Sequence, residues 1–116
     1  MIEFKLAIPP SNNLYYRHVN NRVLLSKEGR AYKEYVKIQA SAQNKRKMLD
    51  CPLHVEIIIH ARDNRRRDID GFSKSVFDAL TYAKVWRDDC LIDEMVVLRR
   101  ENKKDDPHII VRIIEL

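Results

Sequence analysis

Two short segments hold most of the residues capable of chemistry. They are Arg65-Arg66-Arg67-Asp68-Ile69-Asp70-Gly71-Phe72-Ser73-Lys74 and, downstream, Trp86-Arg87-Asp88-Asp89. Asp68 and Asp70 stand at i and i+2, so on backbone that is still extended both carboxylates point to one side. Asp70, Lys74 and Asp78 stand four apart and share one face of any helix that runs through them. Like charges about 4 Å apart repel by roughly 4 kcal/mol at an effective dielectric of about 20, so such a cluster needs either shifted pKa values or a cation. Magnesium suits it, because that ion takes carboxylate oxygens and water and is completed by phosphate oxygens of a substrate. It can lower the pKa of a bound water and neutralise charge that builds on a phosphate. Lys74 could stabilise that charge or the leaving oxygen, and Arg65, Arg66 and Arg67 could hold flanking phosphates. The chemistry indicated is metal-assisted cleavage of a phosphodiester. An ordinary reading stands beside it: Asp70 as a helix cap, Asp70/Lys74/Asp78 as ion pairs, and Asp88-Asp89 as an exposed acidic turn. Asp93 and Glu94 are weaker candidates.

The elements that must position these residues follow from periodicity. Residues 2 to 8 alternate Ile2, Phe4, Leu6 and Ile8 with Glu3, Lys5 and Ala7, a half-buried strand that Pro9-Pro10 stops. A loop with Ser11-Asn12-Asn13 follows. Ser26 is placed to cap a helix running to about Lys47, with Ala31, Tyr35, Ile38 and Ala42 as its buried stripe. Leu53 to His60 is nearly all apolar, which predicts a central strand. The arginine-aspartate segment leaves its end, and a second helix runs from Gly71 to about Ala83 with Phe72, Val76, Leu80 and Ala83 inward and Asp70 as cap. Two last strands, near Ile92 to Arg100 and His108 to Glu115, read as a hairpin about Asn102-Lys103-Lys104-Asp105-Asp106. The predicted order is β-α-β-α-β-β, an α+β fold with two helices against a mixed sheet, in one domain over residues 1–116.

Bulk composition narrows the function classes. Lys plus Arg number 22 against 17 Asp plus Glu, a net charge of +5 in 116 residues, which favours polyanionic partners. No apolar run approaches the roughly 20 residues that cross a bilayer, and the N-terminus shows no signal-peptide core. The expectation is a cytoplasmic protein with no membrane association. Cys51 and Cys90 show no C-x-x-C spacing and read as reduced, partly buried thiols without a role. Glycine occurs only at Gly29 and Gly71, so there is no glycine-rich phosphate loop and no nucleotide cofactor is expected. His18, His54, His60 and His108 lack metal-ligand spacing and read as surface or packed side chains. Beside His18, Tyr15, Tyr16 and Arg17 offer stacking and phosphate contacts. Gln43 to Lys47, Arg99-Arg100 and Lys103-Lys104 are either solvated charge or an extension of a phosphate-binding face.

Taken in order, the motifs Pro9-Pro10-Ser11-Asn12-Asn13, Tyr15-Tyr16-Arg17-His18, Ser26 to Tyr32, Arg66-Arg67-Asp68-Ile69-Asp70 with Lys74, Asp78-Ala79-Leu80, and Trp86-Arg87-Asp88-Asp89 span almost the whole chain. In them the chain resembles the RusA family of Holliday junction resolvases. The resemblance implies a RusA-like fold and magnesium-dependent resolution of four-way junction DNA in recombination and repair. It implies Asp68, Asp70 and Asp89 as the acidic metal-binding residues and Lys74 as catalytic with them. Asn12, Tyr16 and Arg17, with Arg65, Arg66, Arg67 and Lys74, are the candidates for contacting DNA. It also implies a homodimer, whose two-fold axis matches an approximately two-fold substrate and supplies two equivalent sites for paired nicks. The apolar run Ile109 to Ile114 and the first helix are candidates for its interface. One departure is Gly71, where the family usually carries Asn. Two alternatives stay open: a module that binds branched DNA without cutting it, and a nuclease for other branched DNA in phage genome processing.

Overall fold

Alternation of apolar and polar residues builds the sheet, and its inward half fills the core. The computed structural model of the chain describes residues 1–64 and 71–116, apart from the side chains of Asn12 and Asn13. Strands β1 (Ile2–Leu6), β4 (Leu53–His60), β5 (Ile92–Arg99) and β6 (His108–Glu115) form one mixed sheet in the order β1-β6-β4-β5. In β4, Leu53, Val55, Ile57 and Ile59 are buried with Phe4 and Leu6 of β1 and Ile109, Val111 and Ile113 of β6. Helices α2 (Lys27–Ala42) and α3 (Ser73–Tyr82) supply the opposing layer, with Val36, Ala40, Val76, Ala79 and Leu80 fully buried. The expected α+β architecture and the central place of β4 are both present.

The last two strands are not a hairpin. β5 pairs with β4 in parallel, β6 pairs with β4 antiparallel, and β4 lies between them. The reason is the α3 crossover, which returns the chain so that β5 starts level with β4, Leu53 facing Ile92. The connection over residues 100–107 then carries the chain past the end of β4 to its other edge.

A second sheet lies where the sequence reading has only a loop. After a single helical turn, α1 (Asn12–Tyr15), strands β2 (Tyr16–Val19) and β3 (Arg22–Leu25) form a two-stranded hairpin. Asn20 and Asn21 turn it with φ of 50° and 61°, and positive φ at both central residues suits the right-handed twist of the strands.

Helix α2 begins where expected but ends sooner and buries a different face. The Ser26 side chain accepts from Gly29 N at 2.9 Å and caps the helix. Asn44, at φ 54°, and Lys45 N bonded to Ala40 O at 2.8 Å close its C-terminus after Ala42. The buried residues are Gly29, Tyr32, Val36 and Ala40, not the Ala31/Ile38/Ala42 stripe, and Ile38 is 61% exposed. Gly29 decides this rotation. A Cβ there would lie 2.3 Å from Tyr15 O, so only glycine lets α2 come this close to the end of α1. Farther along, Tyr32 Oη donates to Ala7 O at 2.8 Å and Tyr35 Oη accepts from Ala7 N at 2.9 Å, fastening α2 to the chain leaving β1.

Candidate active site

Helix α3 carries the site. Its inward stripe is as the spacing predicts, with Phe72, Val76, Leu80 and Ala83 all buried, which turns Lys74 to solvent and leaves Asp78 half-buried. The helix starts at Ser73 behind Phe72, which gives no side-chain cap. Asp70, expected as its cap, lies outside the described residues, as do Arg65, Arg66, Arg67 and Asp68. Buried Ser75 donates to Phe72 O at 2.9 Å and sets the first turn.

Tyr16, the first residue of β2, reaches across to α3. Its hydroxyl donates to Asp78 Oδ2, and its ring lies beneath Lys74, with Nζ 4.9 Å from the centroid. That contact places an ammonium over the electron-rich face of the ring. Tyr16 packs edge-to-face on Tyr15 at 4.8 Å. Tyr15 is fully buried, so it is an anchor for the hairpin and no DNA contact. Its hydroxyl has no hydrogen-bond partner among the described residues. Burial, and then the charge of Asp78, push that phenol well above its ordinary range. Arg17 and His18 are exposed on β2.

The acidic pair reaches the site from the other side. Trp86 is fully buried, donates Nε1–H to Thr81 Oγ1 at 2.6 Å and packs on Phe77. Arg87 N bonds Leu49 O at 2.9 Å, and the Arg87 guanidinium meets Asp50 at 3.0 Å. This fixed segment delivers Asp88 and Asp89. Asp88 caps a 3-10 turn over Asp89–Leu91 by accepting from Cys90 N at 3.2 Å, and that bond holds its carboxyl below the usual range. Asp89 is pushed up, by burial first and then by Asp88, while Lys74 pulls it down. Asp78 is also raised, by burial first and then by the charge of Asp89. Lys74, Asp78 and Asp89 therefore share one electrostatic environment. Two carboxyls resist ionising together, and one lysine opposes them.

Of the sequence candidates, Tyr16, Lys74 and Asp89 come together. The Tyr16–Asp78 pair is not legible in the sequence, where spacing gives Asp78 only as part of the Asp70/Lys74/Asp78 face, because its partner stands 62 residues away. Among the described residues, no group of three or more metal-ligating side chains gathers. The loop leading into residues 65–70 is fastened at its start, where Arg99 Nη2 donates to Asp63 O at 2.6 Å and Lys103 N to Ala61 O at 2.8 Å. Cys51 is half-buried and Cys90 exposed, both as free thiols. His54 bridges Glu56 and Glu94 at 3.0 and 2.9 Å on the sheet, away from α3.

A family model described as Endodeoxyribonuclease RusA matches residues 7–114. The chain belongs to the RusA family. Relatives named crossover junction endodeoxyribonuclease RusA, from Escherichia coli K12 and from Enterobacteria phage 82, are each 45% identical to it over 97 residues, which is 79% of this chain and 78% of theirs. Another, from Escherichia coli O139:H28, is 42% identical over 98 residues, 81% of this chain and 78% of the relative. Tyr16, Lys74, Asp78 and Asp89 all lie within the span matched by the RusA family model.

Proposed function

We propose that residues 1–116 form one endonuclease domain that resolves four-way DNA junctions by paired nicks, using a divalent cation. The observation that carries this is the convergence of Lys74, Asp78 and Asp89 on a face braced by Tyr16, in a chain of the RusA family. The donor set fits a hard cation. Asp89 and Asp78 resist full ionisation beside each other, a penalty that a bound dication removes. In this reading Asp68, Asp70 and Asp89 hold magnesium, which when bound supplies an acidified water and charge neutralisation at the phosphate.

The chain's own groups do the rest. Lys74 sets its ammonium against the negative charge that develops on the scissile phosphate or leaving oxygen. Tyr16 holds Lys74 from below and Asp78 from the side, so the lysine approaches in one geometry. Arg65, Arg66 and Arg67 grip the phosphates on either side with bidentate contacts, and Asn12 and Arg17 extend that grip.

Two nicks call for two sites, and a homodimer provides them. The proposed interface is the sheet face away from the helices. Ile109, Val111 and Ile113 point inward to the core, whereas half-buried Ile110 lies beside Ile58, which in turn lies beside Leu98. Among the described residues no helix is long and apolar enough to cross a membrane, and the reading places the enzyme in the cytoplasm with DNA.

The test is incubation of the purified protein with a mobile four-way junction and magnesium. Symmetric nicks that yield ligatable duplexes are expected. Equal cutting of linear duplex would overturn the junction assignment, and tight junction binding with no products would make the protein a binding module.

A further inference from the structure

Two lysines of α2 converge on one aromatic ring at the far end of α3. Lys33 Nζ lies 4.4 Å and Lys37 Nζ 5.5 Å from the centroid of Tyr82, which is 36% exposed. Among the described residues neither ammonium has a carboxylate within salt-bridge distance. The nearby Glu34 carboxylate instead accepts from Tyr82 Oη. Arg30, exposed one turn earlier, rests its guanidinium on Leu25 O at 3.0 Å through a single N–H, and among the described residues its other donors have no partner. Leu25, Arg30, Lys33, Glu34 and Tyr82 line an open groove of about 330 Å³. Two ammonium groups over one ring, with the single carboxylate of the groove engaged by the Tyr82 hydroxyl, repel each other unless an anion is shared between them.

We propose that this groove is a second phosphate-binding site, which seats the backbone of a DNA arm beyond the step that is cut. The proposal rests on the nuclease reading above and extends it. Lys74 and Tyr82 are on the same helix, and eight residues at 1.5 Å each put the groove about 12 Å along α3 from the reacting end. A DNA strand advances about 3.4 Å per phosphate along its axis, so with α3 laid along the axis of an arm the groove meets the third or fourth phosphate from the nick. Arg30, Lys33 and Lys37 extend about 10 Å along α2, enough for two or three successive phosphates. Tyr82 acts as the platform that holds the lysines forward, and Glu34 fixes Tyr82 through its hydroxyl.

The experiment compares junction binding and cutting by the parent, Lys33→Ala/Lys37→Ala and Glu34→Gln between 50 and 200 mM salt, after thermal melting has shown that each variant folds. The double variant is expected to flatten the log–log salt slope by about 1 for each lysine and to weaken binding about tenfold at low salt. Glu34→Gln removes the one carboxylate of the groove and is expected to bind as tightly as the parent or tighter. A neutral methylphosphonate at the third or fourth phosphate should weaken the parent more than the double variant, in which Arg30 alone of the three cations remains. A parental salt slope in the double variant, or an equal methylphosphonate penalty in both proteins, would overturn the groove. A parent that binds junctions and never cuts them would overturn the nuclease reading instead, and the binding slopes would still judge the groove.

Discussion

Removing one oxygen atom from Tyr16 separates bracing from catalysis. Tyr16→Phe keeps the ring under Lys74, 4.9 Å from Nζ, and deletes the hydroxyl that donates to Asp78. A hydrogen bond to a charged acceptor is worth about 1.5–3 kcal/mol, and because this one is only part-buried, a loss of about 1–2 kcal/mol in urea unfolding is expected. Freed Asp78 lets the middle of α3, one turn past Lys74, shift against β2. Misplacement of a catalytic group by about 1 Å can cost on the order of 100-fold, so single-turnover cleavage should fall about 10- to 100-fold with junction affinity little changed. Tyr16→Leu also removes the ring and should lose about a further 0.5–1 kcal/mol of lysine positioning. The decisive comparison is the cycle with Asp78→Asn. If the two side chains act as a unit, the double variant is no worse than the poorer single variant. Effects that add in full would refute the idea that Tyr16 works through Asp78.

Three further predictions concern stability and assembly. Asp89 has a folded pKa raised above 3.8, so its contribution to stability is present below about pH 4 and is lost as pH rises through the raised value. In metal-free buffer Asp89→Asn should therefore be as stable as the parent at pH 7 or slightly more so, with the gap closing towards pH 4; a variant much less stable at pH 7 would show that Asp89 is a structural group. Gly29→Ala should destabilise by about 1–3 kcal/mol despite better helix propensity, because its Cβ meets Tyr15 O at 2.3 Å, and a gain in the urea midpoint would contradict that close approach. Ile58→Glu should yield a folded monomer in light scattering if the outer sheet face joins two copies, whereas an unchanged dimer would place the interface elsewhere.

Local pattern was enough for some of this protein and not for the rest. β4 was legible because its apolar run matches a strand paired on both edges, and the α3 stripe because Phe72, Val76, Leu80 and Ala83 recur at helical spacing, although Phe77 and Ala79 are buried beside it. On α2, Ala31/Tyr35/Ile38 and Tyr32/Val36/Ala40 both fit a helical period, and only the approach of Gly29 to Tyr15 chooses between them. The hairpin β2–β3 did leave a signal, Asn20-Asn21 between short strands, but its outward Val23 and Leu24 blur the alternation. Nothing local tells β5 to cross beside β4 instead of pairing with β6. At the site, Lys74 and Asp89 were visible as charges at telling positions, whereas the Tyr16–Asp78 pair exists only once β2 packs on α3.

The most direct test of the central claim is magnesium-dependent cleavage of a four-way junction by Asp70→Asn, with Asp68→Asn and Asp89→Asn alongside and junction affinity measured for each. Each change keeps side-chain size and removes one negative charge, so all three variants should bind the junction at least as well as the parent while cleavage falls by orders of magnitude. Cleavage near the parent's level in all three would contradict the account and reduce these acids to caps and surface ion pairs.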